Sequence, residues 1–174
     1  MILAQDEGRF GRINRPMRCW APPGTRPVVG AQIVRQYIYA YVAVHPKSGK
    51  LSALILPEAN TEMMNFFLKQ VSEDLKEYFV IMQVDGAGWH KSKALQIPEN
   101  IRLIYQPAYS PELNPVEHIW DDIREKEFTN RVFDSIESVM DTLCVGINRL
   151  IGKPEYLKGM TGFSHIINSS FIAS

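Results

Sequence analysis

The chain has 174 residues, enough for one domain with a substantial core, and its composition is that of an ordinary globular protein. No apolar run is long enough to span a membrane, and the first residues lack the basic start and long apolar stretch of a signal peptide. Cys19 and Cys144 stand alone, without the spacing of a zinc site or disulfide framework. We therefore expect a cytoplasmic protein with no membrane partner.

The net charge of zero conceals an uneven distribution of charge along the chain. Residues 1–50 carry eight Arg and Lys against two acidic residues, whereas residues 101–150 carry five basic against nine acidic residues. A basic face is the footprint that phosphates prefer, so the N-terminal part is a candidate nucleic-acid surface. The alternative is a solvated loop that happens to be rich in arginine, and composition alone does not separate the two.

A short apolar run opens the chain and ends at Asp6, followed by Glu7 and Gly8, which predicts a first strand and a turn. A buried strand at the very first residue suggests a fragment, or the downstream half of a longer protein. Residues 8–30 are rich in Gly, Pro and Arg with aromatic residues interleaved, which predicts a loop or hairpin suited to phosphate contact and base stacking. The candidate DNA-binding residues in this part are Arg9, Arg12, Arg15 and Arg18.

Two strands and a helix are predicted next. Residues 32–45 are β-branched and aromatic, and a tight turn separates them from residues 51–56, so these strands are antiparallel. Residues 61–79 change to a helical period. The side chains on the apolar face of this helix, which we interpret as core, are Met64, Phe67, Leu68, Val71, Leu75 and Tyr78.

Residues 79–84 form a nearly continuous apolar run, which is typical of a strand buried on both faces. The run ends at Asp85. An Asp-Gly pair is also a hairpin signal, but residues 91–95 resemble a short helix and the next strand begins near Ile101, which favours a crossover connection.

The connection after this next strand, residues 101–105, is stiffened by three prolines. Asn114 is predicted to be the N-cap of a helix, with Pro115 at its first position and Glu117 at its third. Glu117 then points back toward the end of the preceding strand. The alternative is a capping-box carboxylate that bonds to the Asn114 N–H. Glu112 is the nearest competing acid, and we favour Glu117.

Helix 114–127 is predicted to bury Ile119, Trp120, Ile123 and Phe128. A last helix begins at Asp134, with Glu137 completing a capping box. Its predicted core residues are Ile136, Met140, Leu143, Ile147 and Leu150. Residues 152–174 show little pattern and stay unassigned. The order of elements predicts an α/β fold, a mixed sheet with an antiparallel hairpin and parallel strands, flanked by helices.

Asp6, Asp85 and Glu117 are all expected near one end of this sheet, where ligands of α/β proteins collect. Three carboxylates drawn together repel one another unless a cation neutralises them. Oxygen ligands without Cys or His suit Mg²⁺ or Mn²⁺, and a pair of such ions activates a water or a 3′-hydroxyl. This arrangement indicates phosphodiester hydrolysis or transfer.

Three segments carry a family resemblance. Residues 110–120 (SPELNPVEHIW) resemble the third-carboxylate motif of the mariner superfamily of DDE transposases, which includes bacterial insertion-sequence members. Residues 84–91 (VDGAGWHK) are similar to the second motif and residues 5–10 (QDEGRF) to the first. The resemblance implies a ribonuclease-H-like fold and a metal-binding, catalytic triad of Asp6, Asp85 and Glu117.

By the same resemblance we expect a two-metal site with Mg²⁺ or Mn²⁺, DNA as partner, and a homodimer in the DNA complex. His90, Lys91 and Lys93 are expected to approach the scissile strand. The 31 residues between Asp85 and Glu117 are a few fewer than in animal mariner members. The N-terminal helix-turn-helix module of such transposases is absent from the sequence, so residues 1–174 are expected to form a single catalytic domain.

The function predicted is strand cleavage and transfer at transposon ends. Two alternatives stay open. One is a non-catalytic DNA-binding remnant or regulator, and the other is a ribonuclease-H-like nuclease outside transposition.

Overall fold

A five-stranded mixed sheet forms the centre of the computed structural model, which describes residues 1–14, 16–107 and 110–169. Its strands are β1 (Ile2–Ile13), β2 (Ile33–His45), β3 (Lys50–Leu56), β4 (Val80–Val84) and β5 (Ile101–Tyr105), in the order β3-β2-β1-β4-β5. The pairs β1–β2 and β2–β3 are antiparallel, whereas β1–β4 and β4–β5 are parallel. The predicted mixed sheet with one antiparallel hairpin is confirmed.

Strand β1 is longer than predicted. It continues through Asp6 to Ile13, because it pairs with β2 from Ala4 opposite Val44 to Ile13 opposite Ile33. The prediction that Asp6 follows the strand end, and that a loop begins at Gly8, was therefore wrong. Cross-strand pairing overrides the weak strand preference of glycine here.

Five helices cover the sheet in the described part of the chain: α1 (Thr61–Asp74), α2 (Val116–Ile123), α3 (Ile136–Ile151), α4 (Pro154–Thr161) and α5 (Ser164–Ser169). Helix α1 packs on one face of the sheet, where it contacts side chains of β4 and β5, while α2 and α3 pack on the other face. The strands alternate their side chains between the two faces, so Leu3 joins the α1 layer and Ala4 the α2 layer. The central strand β1 is thus enclosed by two cores.

Several of the predicted helix limits were wrong. Helix α1 ends at Asp74, so Tyr78 lies outside it and is exposed. The short helix is a 3₁₀ turn at Gly88–Lys91 rather than at residues 91–95. Helix α2 gives way to a π turn at Arg124–Phe128.

The last long helix begins with a capping box one residue later than predicted. Ser135 and Ser138 form that box, instead of Asp134 and Glu137. Met140, predicted to be core, is exposed, and the neighbouring Val139 is buried, whereas Leu143, Ile147 and Leu150 are buried as predicted.

The part of the tail left unassigned by sequence contains α4, which a charged cluster ties to α2 and α3. The Asp122 carboxylate of α2 accepts hydrogen bonds from Arg149 (2.6 Å), from the Tyr156 hydroxyl (2.6 Å) and from Lys126. Burial opposes ionisation of Asp122, but these three donors lower its pKa overall. Across the described ranges no helix is long and apolar enough to cross a membrane.

Candidate active site

One cavity of about 360 Å³ contains the three acidic residues singled out by the sequence. Asp6 reaches it from the middle of β1, Asp85 from the residue after β4, and Glu117 from the first turn of α2. The parallel pairing of β1 and β4 ends with Ala4 opposite Gln83, so Asp6 and Asp85 each lie two residues further on. Because side chains alternate along strands, both belong to the cavity side.

Asn114 fixes the start of α2, and so the position from which Glu117 reaches the cavity. It is buried, its Oδ1 accepts from the Val116 N–H (3.1 Å), and its Nδ2 donates to the Gln5 carbonyl (3.1 Å). The same side chain therefore caps α2 and bonds to β1 next to Asp6. The predicted start of this helix was one residue early, because Pro115 occupies the N-cap position and α2 begins at Val116; the Asn114 side chain still accepts from the first N–H of the helix, and its bond to β1 was not foreseen.

We expect Asn114→Ala to lower the free energy of unfolding by about 2 kcal/mol, because the cap is lost and a buried carbonyl loses its donor. A domain of this size would then melt several degrees lower, roughly 4–8 °C, in a thermal denaturation followed by circular dichroism. Asn114→Ser retains the cap but is too short to donate to Gln5, so its loss should be intermediate. An unchanged melting temperature for Asn114→Ala would contradict this role.

Asp6 is held by a tryptophan. The Trp120 Nε1–H donates to Asp6 Oδ2 at 2.8 Å, and the indole is buried against Phe10. Burial raises the pKa of Asp6 to about 7; the Trp120 bond opposes this, and the nearby charges of Glu7 and Glu117 add to it. The site therefore contains a carboxylate that is ionised at a cost in the metal-free protein.

Asp85 is held by a histidine. His90 is buried, its Nδ1 lies 2.8 Å from Asp85 Oδ1, and its Nε2 lies 3.0 Å from Glu7 Oε1. The bond from His90 lowers the pKa of Asp85. Burial alone would lower the pKa of His90, but its bonds to Asp85 and Glu7 reverse this and raise it to about 9. His90 is thus an imidazolium that donates to both acids.

Glu117 is engaged differently from the other two acids. The Asn114 N–H donates to the Pro111 carbonyl at 2.9 Å, not to the Glu117 carboxylate, so the capping-box alternative was wrong. Glu117 lies near enough to Asp6 for its charge to raise the pKa of that group. Its carboxylate is left facing the cavity.

The donor chemistry of this cavity suits a hard divalent cation. Its lining supplies the carboxylates of Asp6, Asp85 and Glu117, which are oxygen donors of the kind Mg²⁺ and Mn²⁺ prefer. Because burial raises the pKa of Asp6, a nearby cation would stabilise the charged form of this carboxylate most. In the parts of the chain that the structure covers, no three His, Cys, Asp or Glu side chains are gathered closely enough to hold a metal ion.

The residues predicted to bind DNA lie in different environments. Arg9, Arg18, Lys91 and Lys93 are exposed, whereas Arg12 is partly buried and donates to the Phe133 carbonyl (2.9 Å) and to Gln36 (2.8 Å). Arg15 lies outside the described residues. His90 is buried with both ring nitrogens bonded to carboxylates, so it is not available to a DNA backbone.

Sequence reasoning missed two residues that orient the acids. Trp120 was interpreted only as core, and Glu7 only as a structural or supporting residue. The signal for Trp120 was available in principle, because it follows Glu117 by three positions and therefore lies on the same side of α2. No local pattern connects Glu7 to His90, 83 residues away.

This cavity, centred on the middle strand of a mixed sheet, places the chain among α/β domains with an acidic site. Residues 1–140 match the model of the family described as DDE superfamily endonuclease. The chain belongs to this family, whose members are enzymes that cleave nucleic acid strands internally. A relative, the uncharacterized protein y4pE/y4sA of Sinorhizobium fredii (strain NBRC 101917 / NGR234), is 34% identical over 119 residues, covering 68% of this chain and 88% of its own.

Solved structures of Mos1 transposase share the fold. The Mos1 transposase paired-end complex with left transposon end has a TM-score of 0.60 and 21% identity, covering 92% of this chain and 55% of that chain. The Mos1 mariner paired end complex with Mn has a TM-score of 0.60 and 19% identity, and the match covers 93% of this chain and 56% of that chain. The predicted ribonuclease-H-like fold and membership of the DDE superfamily are confirmed, and this chain spans about half the length of Mos1 transposase.

Proposed function

We propose that this chain is the catalytic domain of a DDE transposase of the bacterial insertion-sequence type, with residues 1–174 forming one domain. The observation that carries the proposal is the cavity to which β1, β4 and α2 deliver Asp6, Asp85 and Glu117. The relative from Sinorhizobium fredii supports the bacterial type. A DNA substrate in a bacterial cell supports a cytoplasmic location.

Asp6, Asp85 and Glu117 would hold two divalent ions, Mg²⁺ or Mn²⁺. When bound, these ions lower the pKa of an attacking hydroxyl and neutralise charge on the phosphate. Trp120 and His90 keep Asp6 and Asp85 in place, and Asn114 fixes the entry of α2 beside β1. Two of the three acids are thereby restricted in orientation before substrate binds, which lowers the entropy lost when they converge on an ion.

The reaction would proceed in two displacements at phosphorus. Water first attacks a phosphodiester at the transposon end, the P–O3′ bond breaks, and a 3′-hydroxyl is released. That 3′-hydroxyl then attacks a target phosphodiester, so one P–O bond forms as another breaks. In each displacement the attacking water or hydroxyl gives up a proton and the leaving 3′-oxygen takes one up.

Basic and aromatic side chains beside the site support a DNA partner. A second cavity, of about 460 Å³, is lined by Arg9, Arg124, Phe10 and Phe128 among others. The Arg124 guanidinium lies 5.4 Å from the Phe10 ring centre, and Phe10 in turn packs against Trp120. Phosphates and bases suit such a combination of arginine and aromatic groups.

A homodimer on DNA completes the proposal. Transposition joins two ends of one element, and the described residues form one acidic cavity of this kind per chain. Two copies, each acting at one end, would supply the two sites that the reaction needs.

The test is a plasmid-nicking and strand-transfer assay with the 174-residue chain, Mn²⁺ or Mg²⁺, and a duplex carrying a free 3′-hydroxyl. We expect divalent-ion-dependent nicking and joining that Asp85→Ala removes. Glu112→Gln is the matched control, since Glu112 is an exposed acid five residues before Glu117 and does not line the cavity. Nicking without joining would indicate a nuclease outside transposition, and DNA binding without either would indicate a non-catalytic remnant.

A further inference from the structure

A buried row of side chains crosses from β1 to Asp85 beneath the acidic cavity. His90 is 1% exposed and bridges Glu7 Oε1 (3.0 Å) and Asp85 Oδ1 (2.8 Å). The Glu7 side chain is only 5% exposed, and its Oε1 also accepts from Gln5 Nε2 at 2.9 Å. The row therefore begins on the strand that carries Asp6 and ends on the second acidic residue.

One oxygen of Asp85 is occupied by this arrangement. Asp85 Oδ1 accepts from His90 and also from the Ala87 N–H at 2.9 Å. The Asp85 side chain is still 39% exposed and lines the cavity. A carboxylate with one oxygen bound by two fixed donors presents the other in a defined direction, as supporting groups do around metal ligands.

His90 is itself fixed from outside the row. The Tyr105 hydroxyl at the end of β5 donates to the His90 carbonyl at 2.8 Å, and the His90 ring packs edge-on against Trp89. Burying Glu7 and an imidazolium costs desolvation energy, and apolar residues of similar size would usually stabilise a fold at least as well. Stability alone is therefore a poor reason for this row, whereas orientation of Asp85 is a specific consequence of it.

We propose that Glu7 and His90 are positioning residues that hold Asp85 in the orientation in which its second oxygen meets a divalent cation in the cavity. The proposal rests on the proposed function for the identity of the ligand. Through this row, strand β1 sets the orientation of an acid on β4, so Asp6 and Asp85 are placed by a shared framework.

A pair of His90 variants separates orientation from bulk. The amide nitrogen of Asn occupies nearly the position of the His Nδ1, and that of Gln nearly the position of Nε2. His90→Asn therefore retains a donor toward Asp85, while His90→Gln retains one toward Glu7. Both introduce a neutral amide in place of the ring.

The first readout needs no metal. Amide exchange of Ala87, measured by NMR on the metal-free protein, reports whether Asp85 Oδ1 still faces that N–H. We expect roughly tenfold faster exchange in His90→Gln than in His90→Asn, the scale set by one hydrogen bond. His118→Gln, an exposed histidine on α2, is the matched control and should leave this amide unchanged.

The second readout is Mn²⁺ affinity by calorimetry, with a nicked duplex present. We expect the Mn²⁺ affinity to fall from the wild type to His90→Asn and again to His90→Gln, by roughly tenfold or more in total. Equal losses in the two variants, or wild-type Ala87 exchange in a folded His90→Gln protein, would overturn the proposal. If neither His90 variant folds, Glu7→Leu decides: unchanged Ala87 exchange there overturns the proposal and faster exchange supports it.

Failure of the proposed function gives a different result. Wild-type protein that binds no Mn²⁺ with DNA present refutes the metal site and, with it, the purpose assigned to the row. Ala87 exchange still measures in that case whether His90 holds Asp85.

Discussion

Asp6→Asn should stabilise the metal-free protein at pH 8 while removing its strand-cleavage activity. Burial raises the pKa of Asp6 from 3.8 to about 7, so the folded protein binds this proton more tightly than the unfolded chain does. The corresponding stabilisation is complete below pH 3.8 and is lost as the pH rises through about 7. Above that pH the protein carries a poorly solvated charge that the Trp120 bond compensates only in part, and asparagine replaces it with a neutral group of the same shape.

We expect Asp6→Asn to gain about 2 kcal/mol in the free energy of unfolding at pH 8, allowing for relaxation around the charge. The gain should shrink toward pH 4. Urea unfolding in EDTA at the two pH values measures it, with the exposed α2 residue Asp121→Asn as a control that lacks this pH dependence. Mn²⁺ should stabilise the wild type and not Asp6→Asn, because only the wild type binds it strongly.

The activity of Asp6→Asn should fall by roughly 10³-fold or more, since a neutral amide is a poor ligand for a hard divalent ion. The nicking assay with Mn²⁺ measures this. A stable protein with lost activity is the expected combination at a site whose strain serves function. A variant that is less stable than wild type at pH 8 would show that the Asp6 charge is compensated in solution.

Trp120 is expected to show the largest loss of stability. Its indole is 1% exposed and packs against Phe10 between β1 and α2. A Cβ on Gly8 would lie 2.8 Å from the indole, which shows how closely the ring approaches the strand. Trp120→Ala should therefore cost about 3–5 kcal/mol, because the emptied space is enclosed and cannot collapse freely.

The more informative variant is Trp120→Phe, which retains much of the packing and loses the donor to Asp6. We expect a moderate loss of stability, about 1–2 kcal/mol, and a loss of roughly tenfold or more in nicking rate. Val139→Ala is the matched control, because it loosens the same core from α3 and takes no part in the Trp120–Asp6 bond. Equal activity in the two variants at equal stability would show that Trp120 serves packing only.

Much of the sheet was predictable because its strands are locally distinctive. The limits of β2, β3, β4 and β5 lie within a residue or so of those expected, since β-branched and apolar runs bounded by turn residues report strands directly. Strand β1 was cut short because Gly8 and Gly11 suggest a turn. Only pairing with β2 shows that they lie within a strand.

The acidic residues were predictable for a related reason. Asp85 follows an apolar run, and Glu117 follows an Asn-Pro helix start, so each can be identified by short-range patterns. Helix α4 was not predictable, because its attachment depends on the hydrogen bonds that Asp122 accepts from Arg149 and Tyr156, which lie far from it in the chain. The start of α3 was predicted one residue early because two adjacent residues, Asp134 and Ser135, are both good caps, and the structure uses Ser135.

The sequence by itself determined the class of fold and the family and singled out three acids that line one cavity, because period, capping and short motifs act over a few residues. The tertiary structure alone decided how those acids are held. Trp120 bonds Asp6 across 114 positions, and Glu7 bonds His90 across 83. Such partners meet only when the sheet has formed, since the contact is made by register between strands and by helix placement rather than by any local preference.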